Sequence, residues 1–247
     1  MKHVLITGAT SGIGQSLALS YASAGHHVYA CGRNEEKLTA LVRQYENITP
    51  LSFDITDKTQ VKAACANINE IDIVILNAGD CLYMDDPLHF DSERFEFIIN
   101  TNLVSMGAML EQLLPKLAPT NRQNTENPQL VFISSSASLL PFPKAQAYGA
   151  SKAGVDYLAN SLALDLAKHR IDVCLVHPGF IKTPLTDKNT FDMPFLMSSE
   201  EAADRIIEGI TKRKRYLQFP KRLTVFLHLL SSLPARCWQS FASKRLS

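Results

Sequence analysis

The sequence predicts an α/β fold, a doubly wound parallel sheet in one domain, on three observations. Short apolar runs alternate with amphipathic stretches from the first residue onward. The runs are continuous rather than alternating polar and apolar, as strands buried on both faces require. A glycine-rich turn joins the first run to the first amphipathic stretch. In order, HVLIT, HVYAC, ITPLSF, IDIVIL, QLVFISS and IDVCLVHP read as strands. The stretches 13–24, 35–45, 57–69, 92–117 and 149–168 read as helices, the first with Ile13, Leu17 and Tyr21 on one face. The polar segment 119–128, PTNRQNTENP, reads as a surface loop before the fifth strand.

A chain of 247 residues with 46% hydrophobic and 20% charged side chains can bury a full core as one domain. A formal net charge of +1 argues against nucleic acid as a partner, because phosphate binding leaves a basic footprint. Cys31, Cys65, Cys81, Cys174 and Cys237 are scattered, with no C-x-x-C pair and no His/Cys cluster. Neither a metal site nor a disulfide framework is expected, and reduced thiols point to a cytoplasmic protein. The N-terminal MKHVLITG enters a strand directly and is too short for a signal peptide. Leu223 to Leu233, the longest apolar-rich segment, is too short to span a bilayer.

The glycines of TGATSGIG (Gly8, Gly12, Gly14) lie where the first strand becomes the first helix. Glycines there allow a tight turn and let a pyrophosphate approach backbone N–H groups at a helix N-terminus. Further turns follow later strands: Asp54 in FDIT, Asn77–Ala78–Gly79, and His177 to Thr183 in HPGFIKT. Taken singly, Asp54 and Asn77 could be turn or cap residues and Thr183 a loop hydroxyl; together they line one rim of the sheet. His177 has no ligand-spaced partner and reads as structural. In AQAYGASKAG, Tyr148 and Lys152 are four residues apart, on one face of a helix. Such a pair is either a solvated surface contact or a phenol whose acidity an ammonium tunes.

The ordered set TGATSGIG, NAG, NTNLVSMG, ISSSAS, YGASK and HPG, spread over residues 2 to about 220, resembles the short-chain dehydrogenases/reductases in their compact single-domain branch. The resemblance implies a seven-stranded Rossmann sheet, with RYLQFP (215–220) as the last strand. It implies a catalytic set of Asn102, Ser135, Tyr148 and Lys152, with Ser135 thirteen residues before Tyr148. Asn100 is the lesser candidate for the asparagine, and Ser134 and Ser136 flank the serine. Tyr148 would exchange a proton with the substrate oxygen, and Lys152 would lower the phenol's pKa and hold the nicotinamide ribose. The implied coenzyme contacts are Gly8, Thr10, Ser11, Gly12, Ile13, Gly14, Asp54, Ile55, Asn77, Ala78, Gly79, Pro178, Gly179, Ile181 and Thr183, besides Tyr148 and Lys152. At the end of the second strand Gly32 stands where an NAD enzyme places an acid, and Arg33 and Asn34 follow. A guanidinium there suits a 2′-phosphate, so NADP(H) is the expected coenzyme; a solvated turn arginine is the alternative. The stretch before the fifth strand departs from the family by lacking a glycine and carrying the longer 119–128 loop. The expected activity is hydride transfer between NADP(H) and a carbonyl or secondary alcohol, in a homo-oligomer, dimer or tetramer. A non-catalytic NADPH sensor is the alternative.

Residues 221–247 form a C-terminal extension to the 1–220 catalytic domain. After Glu208 there is no acidic residue while nine Lys/Arg follow, leaving residues 1–208 with 16 basic against 24 acidic side chains, a formal −8. KRLTVFLHLLSSL reads as a helix with Leu223, Phe226, Leu227, Leu230 and Leu233 on one face and Lys221, Thr224, His228 and Ser231 opposite. Trp238 and Phe241 begin a second apolar patch after Pro234. Such a helix suits either contact with an anionic membrane surface or packing over the substrate pocket or a partner subunit. Phe191, Met193, Phe195, Leu196 and Met197 in the loop after the sixth strand suggest a lid over an apolar substrate.

Overall fold

The structure, a computed structural model, describes residues 1–69, 71–117, 126–189 and 191–245. Seven parallel strands form one sheet: β1 His3–Thr7, β2 His27–Gly32, β3 Ile48–Ser52, β4 Ile73–Leu76, β5 Gln129–Ile133, β6 Asp172–Pro178 and β7 Tyr216–Phe219. Their order is β3-β2-β1-β4-β5-β6-β7. The chain builds outward from β1 in one direction and then from β4 in the other, so the strand order reverses between β1 and β4. A crevice opens there at the C-terminal strand ends. Most of the 119–128 loop lies outside the described residues.

Residues alternate along each strand between two cores. Val4 and Ile6 of β1, Val28 and Ala30 of β2, and Ile73 and Ile75 of β4 face the helices α1 (Gly12–Ser23), α2 (Glu35–Gln44) and α7 (Ser199–Thr211). Leu5, Val74, Leu76, Leu130 and Phe132 face α3 (Lys58–Cys65), α5 (Ser105–Leu117) and α6 (Gln146–Leu166). Because both faces are covered, the strands are apolar at nearly every position, and each large side chain buried this way stabilises the fold by about 1.5–3 kcal/mol. Asn34, Asp57, Asp91 and Ser198 cap α2, α3, α4 (Ser92–Ile99) and α7 through their side chains.

The helix expected over 92–117 runs the whole stretch but is irregular in its middle. Between α4 and α5, residues Asn100–Val104 form a π-helical turn. The extra residue turns Asn102 wholly inward, where its Oδ1 accepts from Asp80 N (2.8 Å) and its Nδ2 donates to Asp80 O (2.9 Å) and Ser151 Oγ (3.0 Å).

The C-terminal extension docks on the domain as two helices, α8 (Lys221–Ser231) and α9 (Ala235–Arg245). Leu223 and Leu227 join Trp238, Ala242 and Leu140 in a third apolar cluster, against which Phe142 and Phe180 pack. Trp238 Nε1 donates to Pro141 O at 2.8 Å, and its ring meets Phe142 edge-on. The single apolar stripe expected for this segment divides. The buried side of α8 is centred on Leu223, Thr224 and Leu227, so Thr224 is inside while Phe226 and Leu233 are turned to solvent. Leu230 is half-buried at the border.

The first turn is held by close packing. A Cβ on Gly14 would lie 2.2 Å from Gly8 O and 2.6 Å from Asn77 Nδ2, and the carbonyl belongs to backbone that cannot yield. Gly14→Ala is therefore expected to destabilise the domain by about 2 kcal/mol, lowering the thermal midpoint by about 4–8 °C. Calorimetry of the two proteins reads the difference directly.

Candidate active site

The crevice is an open cleft of about 420 Å³ along the C-terminal rim of the sheet. Each turn that follows a strand contributes to it. After β1 come Gly8, Thr10, Ser11, Gly12 and Ile13; after β2, Arg33; after β3, Asp54 and Ile55. Asn77, Ala78 and Gly79 follow β4, and Pro178, Gly179, Ile181 and Thr183 follow β6. Ser135, Tyr148 and Lys152 close one end. Three residues expected at the site do not line it: Gly14 packs inside the first turn, Asn34 is spent capping α2, and Asn102 is buried behind the wall.

The rim between β1 and β4 carries the features a dinucleotide needs. Ser11 begins α1 without a side-chain cap, and the first turn holds no acid, so the positive end of the helix meets the cleft uncompensated. Gly12 has φ +52, and a Cβ there would lie 2.8 Å from Thr183 Cγ2, so the turn after β6 closes directly over the glycine loop. Thr7 joins the two strands: its Oγ1 accepts from Asn77 N and Ala78 N, both at 2.9 Å. Asn77 Nδ2 donates to Thr7 O at 2.9 Å. At the far end Arg33 lies 3.7 Å from Asp54, both solvent-facing. Hydrogen bonds from the Thr56 N–H and hydroxyl, with a smaller part from Arg33, hold the Asp54 carboxyl below its usual range. The residues present thus fit a dinucleotide with a phosphorylated ribose: bare amides and a helix end for the pyrophosphate, and an arginine where a carboxylate would repel phosphate.

At the catalytic end, Ser135 hydrogen-bonds the half-buried Tyr148. Ser135 itself is fixed by accepting from Ala137 N at 3.1 Å. Ser134 is turned away, its Oγ donating to Asp156 Oδ1 at 2.5 Å, and Ser136 starts a short helical turn outside the cleft. Lys152 is buried, donates to Ile133 O at 2.9 Å, and sits 5.8 Å from the centroid of the Tyr148 ring. Burial works against the lowering of the phenol's pKa expected from Lys152. Burial pushes Tyr148 up to about 12, only partly offset by the Ser135 hydrogen bond. The ammonium is engaged by a backbone carbonyl beneath the ring. Burial also brings Lys152 down to about 8, while the Asp156 carboxylate, one helical turn away, favours its charged form.

Several residues here escaped the sequence reading. Asp156 belongs to a chain in which His177 Nε2 bonds Asp156 Oδ2 at 2.9 Å and Ser134 bonds the other oxygen. His177 is therefore structural, as expected, but it has a partner: it helps hold the carboxylate that faces Lys152. The i, i+4 spacing of Lys152 and Asp156 was a legible signal. Cys81, its thiol raised to about 11 by burial, and Tyr83 lie on the loop after β4. Tyr83 meets Phe191 edge-on at 5.8 Å, and Phe191 meets Phe180 at 6.0 Å, building an aromatic wall from the loops after β4 and β6. Of the other lid candidates, Met197 is buried and Phe195 and Leu196 are exposed. Among the described residues no group of three His, Cys, Asp or Glu is arranged to hold a metal ion.

The reversed parallel sheet, the glycine-lined rim and the Ser–Tyr–Lys end define a dinucleotide-fold oxidoreductase of the short-chain type. The sequence profile described as short chain dehydrogenase matches residues 2–193, and the chain belongs to that family. An uncharacterised oxidoreductase of Myxococcus xanthus is 33% identical, the alignment covering 99% of this chain and 97% of that one. A fatty acyl-CoA reductase of Acinetobacter baylyi is 30% identical over 94% of this chain and 78% of its own. Among solved structures, a short-chain dehydrogenase from Sphingobium yanoikuyae in complex with NADPH superposes with TM-score 0.79 at 25% identity, covering 99% and 94% of the two chains. One from Burkholderia cenocepacia in complex with NADP reaches TM-score 0.84 at 22% identity, covering 100% and 98%.

Removing the Asp156 charge has a signed consequence. Without the carboxylate the larger of the two groups that offset the desolvation of Lys152 is gone, leaving only the smaller contribution of Cys81, so its pKa falls below about 8 and the ammonium is lost at lower pH. Asp156→Asn is expected to shift the alkaline limb of the pH–rate profile toward neutrality. An unshifted limb would show that Asp156 does not set the charge of Lys152.

Proposed function

We propose that the chain is an NADP(H)-dependent reductase/dehydrogenase acting on a carbonyl or secondary alcohol of an apolar small molecule. The observation that carries this reading is one cleft with the Ser135–Tyr148–Lys152 set at one end and Arg33, with no acid at the end of β2, at the other. Solved relatives whose descriptions name NADP or NADPH support it, as does the fatty acyl-CoA reductase among the sequence relatives.

The first-turn amides and the α1 N-terminus would hold the pyrophosphate, Arg33 the 2′-phosphate, and Asp54 and Ile55 the adenine end. Asn77 to Gly79 and Pro178 to Thr183 would flank the nicotinamide half, with Lys152 on its ribose. The bound coenzyme supplies or takes the hydride. Ser135 hydrogen-bonds the substrate oxygen, and Tyr148 gives that oxygen its proton in reduction or removes one in oxidation. Neutral Tyr148 with a raised pKa is in the donor form throughout the physiological range. Lys152 beside it favours the phenolate that remains after donation. Asn102 keeps the loop after β4 against α6 through Asp80 and Ser151. The aromatic wall of Tyr83, Phe180 and Phe191 would favour bulky apolar substrates.

Exposed Tyr157 and Leu164 on α6, with Phe97 on α4 and Val104 in the π turn, support a homo-oligomer, dimer or tetramer. Four buried free cysteines accord with a cytoplasmic setting.

NADPH is expected to bind at least about tenfold more tightly than NADH, equivalent to about 1.4 kcal/mol, and Arg33→Ala to erase the difference. Fluorescence titration measures both, and equal affinities in the wild type would reject the coenzyme assignment. Tyr148→Phe is expected to keep NADPH binding and lower kcat by at least about 100-fold on a long-chain aldehyde or ketone. Near wild-type turnover in that variant would falsify the mechanism.

A further inference from the structure

The inward face of α8 is accounted for by packing; its outward face is not. Val225, Phe226 and Leu229 on α8 and Leu233 just beyond it are about half exposed or more, at 57%, 53%, 64% and 48%. Lys221 and Arg222 at the start of the same helix and Arg236 in the first turn of α9 are exposed beside them. From residue 209 to the C-terminus there is no acidic side chain. Helix α8 is thus apolar on two sides, one consumed by Leu140 and Trp238 and the other presented to solvent with a cationic border.

From this arrangement we infer that the outer face of α8 is a docking surface for an anionic lipid bilayer, with Val225, Phe226, Leu229 and Leu233 entering the interface and the bordering cations meeting lipid phosphates. Three physical points select this occupant. A helix lying in the interface plane buries one apolar face, and the anchorage of Leu223, Leu227 and Trp238 leaves this one free. The helix is already folded on the domain, so docking costs none of the ordering that weakens a short free peptide. An isologous pairing of this surface with a second copy would set Lys221, Arg222 and Arg236 near their own like charges, with no carboxylate on the tail to neutralise them. Negative lipid headgroups supply the missing partner, and no helix among the described residues is long and apolar enough to cross the membrane, so attachment is peripheral.

The surface also has a position. Leu223 lies against Gly179 of the cleft: a Cβ on that glycine would meet Leu223 Cδ2 at 2.8 Å. The third apolar cluster includes Phe180, which touches the aromatic wall through Phe191. The inner face of α8 thus packs beside the turn after β6 that lines the cleft. Docking of this face on a bilayer would not depend on the proposed chemistry of the cleft.

Co-sedimentation of the full chain with vesicles tests it. The protein is expected to pellet with phosphatidylglycerol/phosphatidylcholine vesicles at low salt, to release as salt rises, and to stay in the supernatant with phosphatidylcholine alone. Phe226→Gln/Leu229→Gln alters only exposed positions, so the thermal midpoint is expected to hold while vesicle affinity falls at least tenfold. Lys221→Gln/Arg222→Gln is expected to lower affinity about thirtyfold and flatten the salt dependence. Absence of binding to anionic vesicles at low salt would overturn the inference, as would equal binding to neutral ones. So would unchanged affinity in the Phe226/Leu229 variant at an unchanged midpoint. A self-association that light scattering shows to vanish in that variant, with no vesicle binding by the wild type, would assign the face to a second copy instead.

Discussion

The join between β1 and β4 is the constraint on which the rest of the molecule depends. Two parallel strands that send their following helices to opposite faces must part at their C-terminal ends, and parting exposes backbone N–H groups that β-pairing would otherwise use. Thr7 meets this cost with one hydroxyl, accepting from both Asn77 N and Ala78 N. Asn77 returns a bond to the Thr7 carbonyl. The crevice is thereby open but rigid, and its two walls, the glycine turn and the loop that carries Cys81 and Tyr83, are held at a set distance. The glycine turn and the turn after β4 take their positions from that seam.

The catalytic end shows a second tension. A phenol and an ammonium have been taken out of water together, which raises one pKa and lowers the other. Ordinary ion pairing would relieve this, yet Lys152 bonds a neutral carbonyl and its nearest carboxylate, Asp156, is held by Ser134 and His177. The carboxylate is close enough to favour the charge and too well anchored to collapse onto it. The ammonium stays beside the tyrosine, available to whatever occupies the cleft.

Much of this was legible in the sequence because it follows from backbone periodicity. Buried strands must be apolar throughout, so HVLIT and IDIVIL announce themselves, and glycines at a strand–helix turn have few other uses. Residues whose roles depend on one side chain reaching another were harder. Thr7 reads as the last residue of a strand, and Asp156 as one polar residue in a long helix. Asn34 reads as a coenzyme contact because it follows Arg33, but an asparagine before two glutamates is equally a helix cap, and it is used as one. The tail misled in a different way. Helical spacing placed Leu223 and Leu227 on the buried side but put Phe226 and Leu233 with them and Thr224 opposite, since a helix with apolar side chains on more than one side offers two registers. Packing against Leu140 and Trp238 selected between them, and Leu140 belongs to a distant part of the chain, before α6.

The π turn at Asn100–Val104 ties two distant parts of the fold to one residue count. It is an insertion in the geometric sense: the helix before it and the helix after it are each regular but differ in phase by the angle of one added residue, about 100°. In α4 that phase faces Ile98 inward, and in α5 it sets Met106, Met109 and Leu113 against the sheet. Shortening the segment by one residue would give a straighter, better hydrogen-bonded helix that could seat either end but not both. If α4 kept its place, the methionines of α5 would rotate out of the core; if α5 kept its place, Asn102 would swing away from Asp80 and Ser151. A change in the length of this stretch would therefore be felt at both ends at once, and a locally less stable backbone is retained because two hydrophobic surfaces and one buried amide share it.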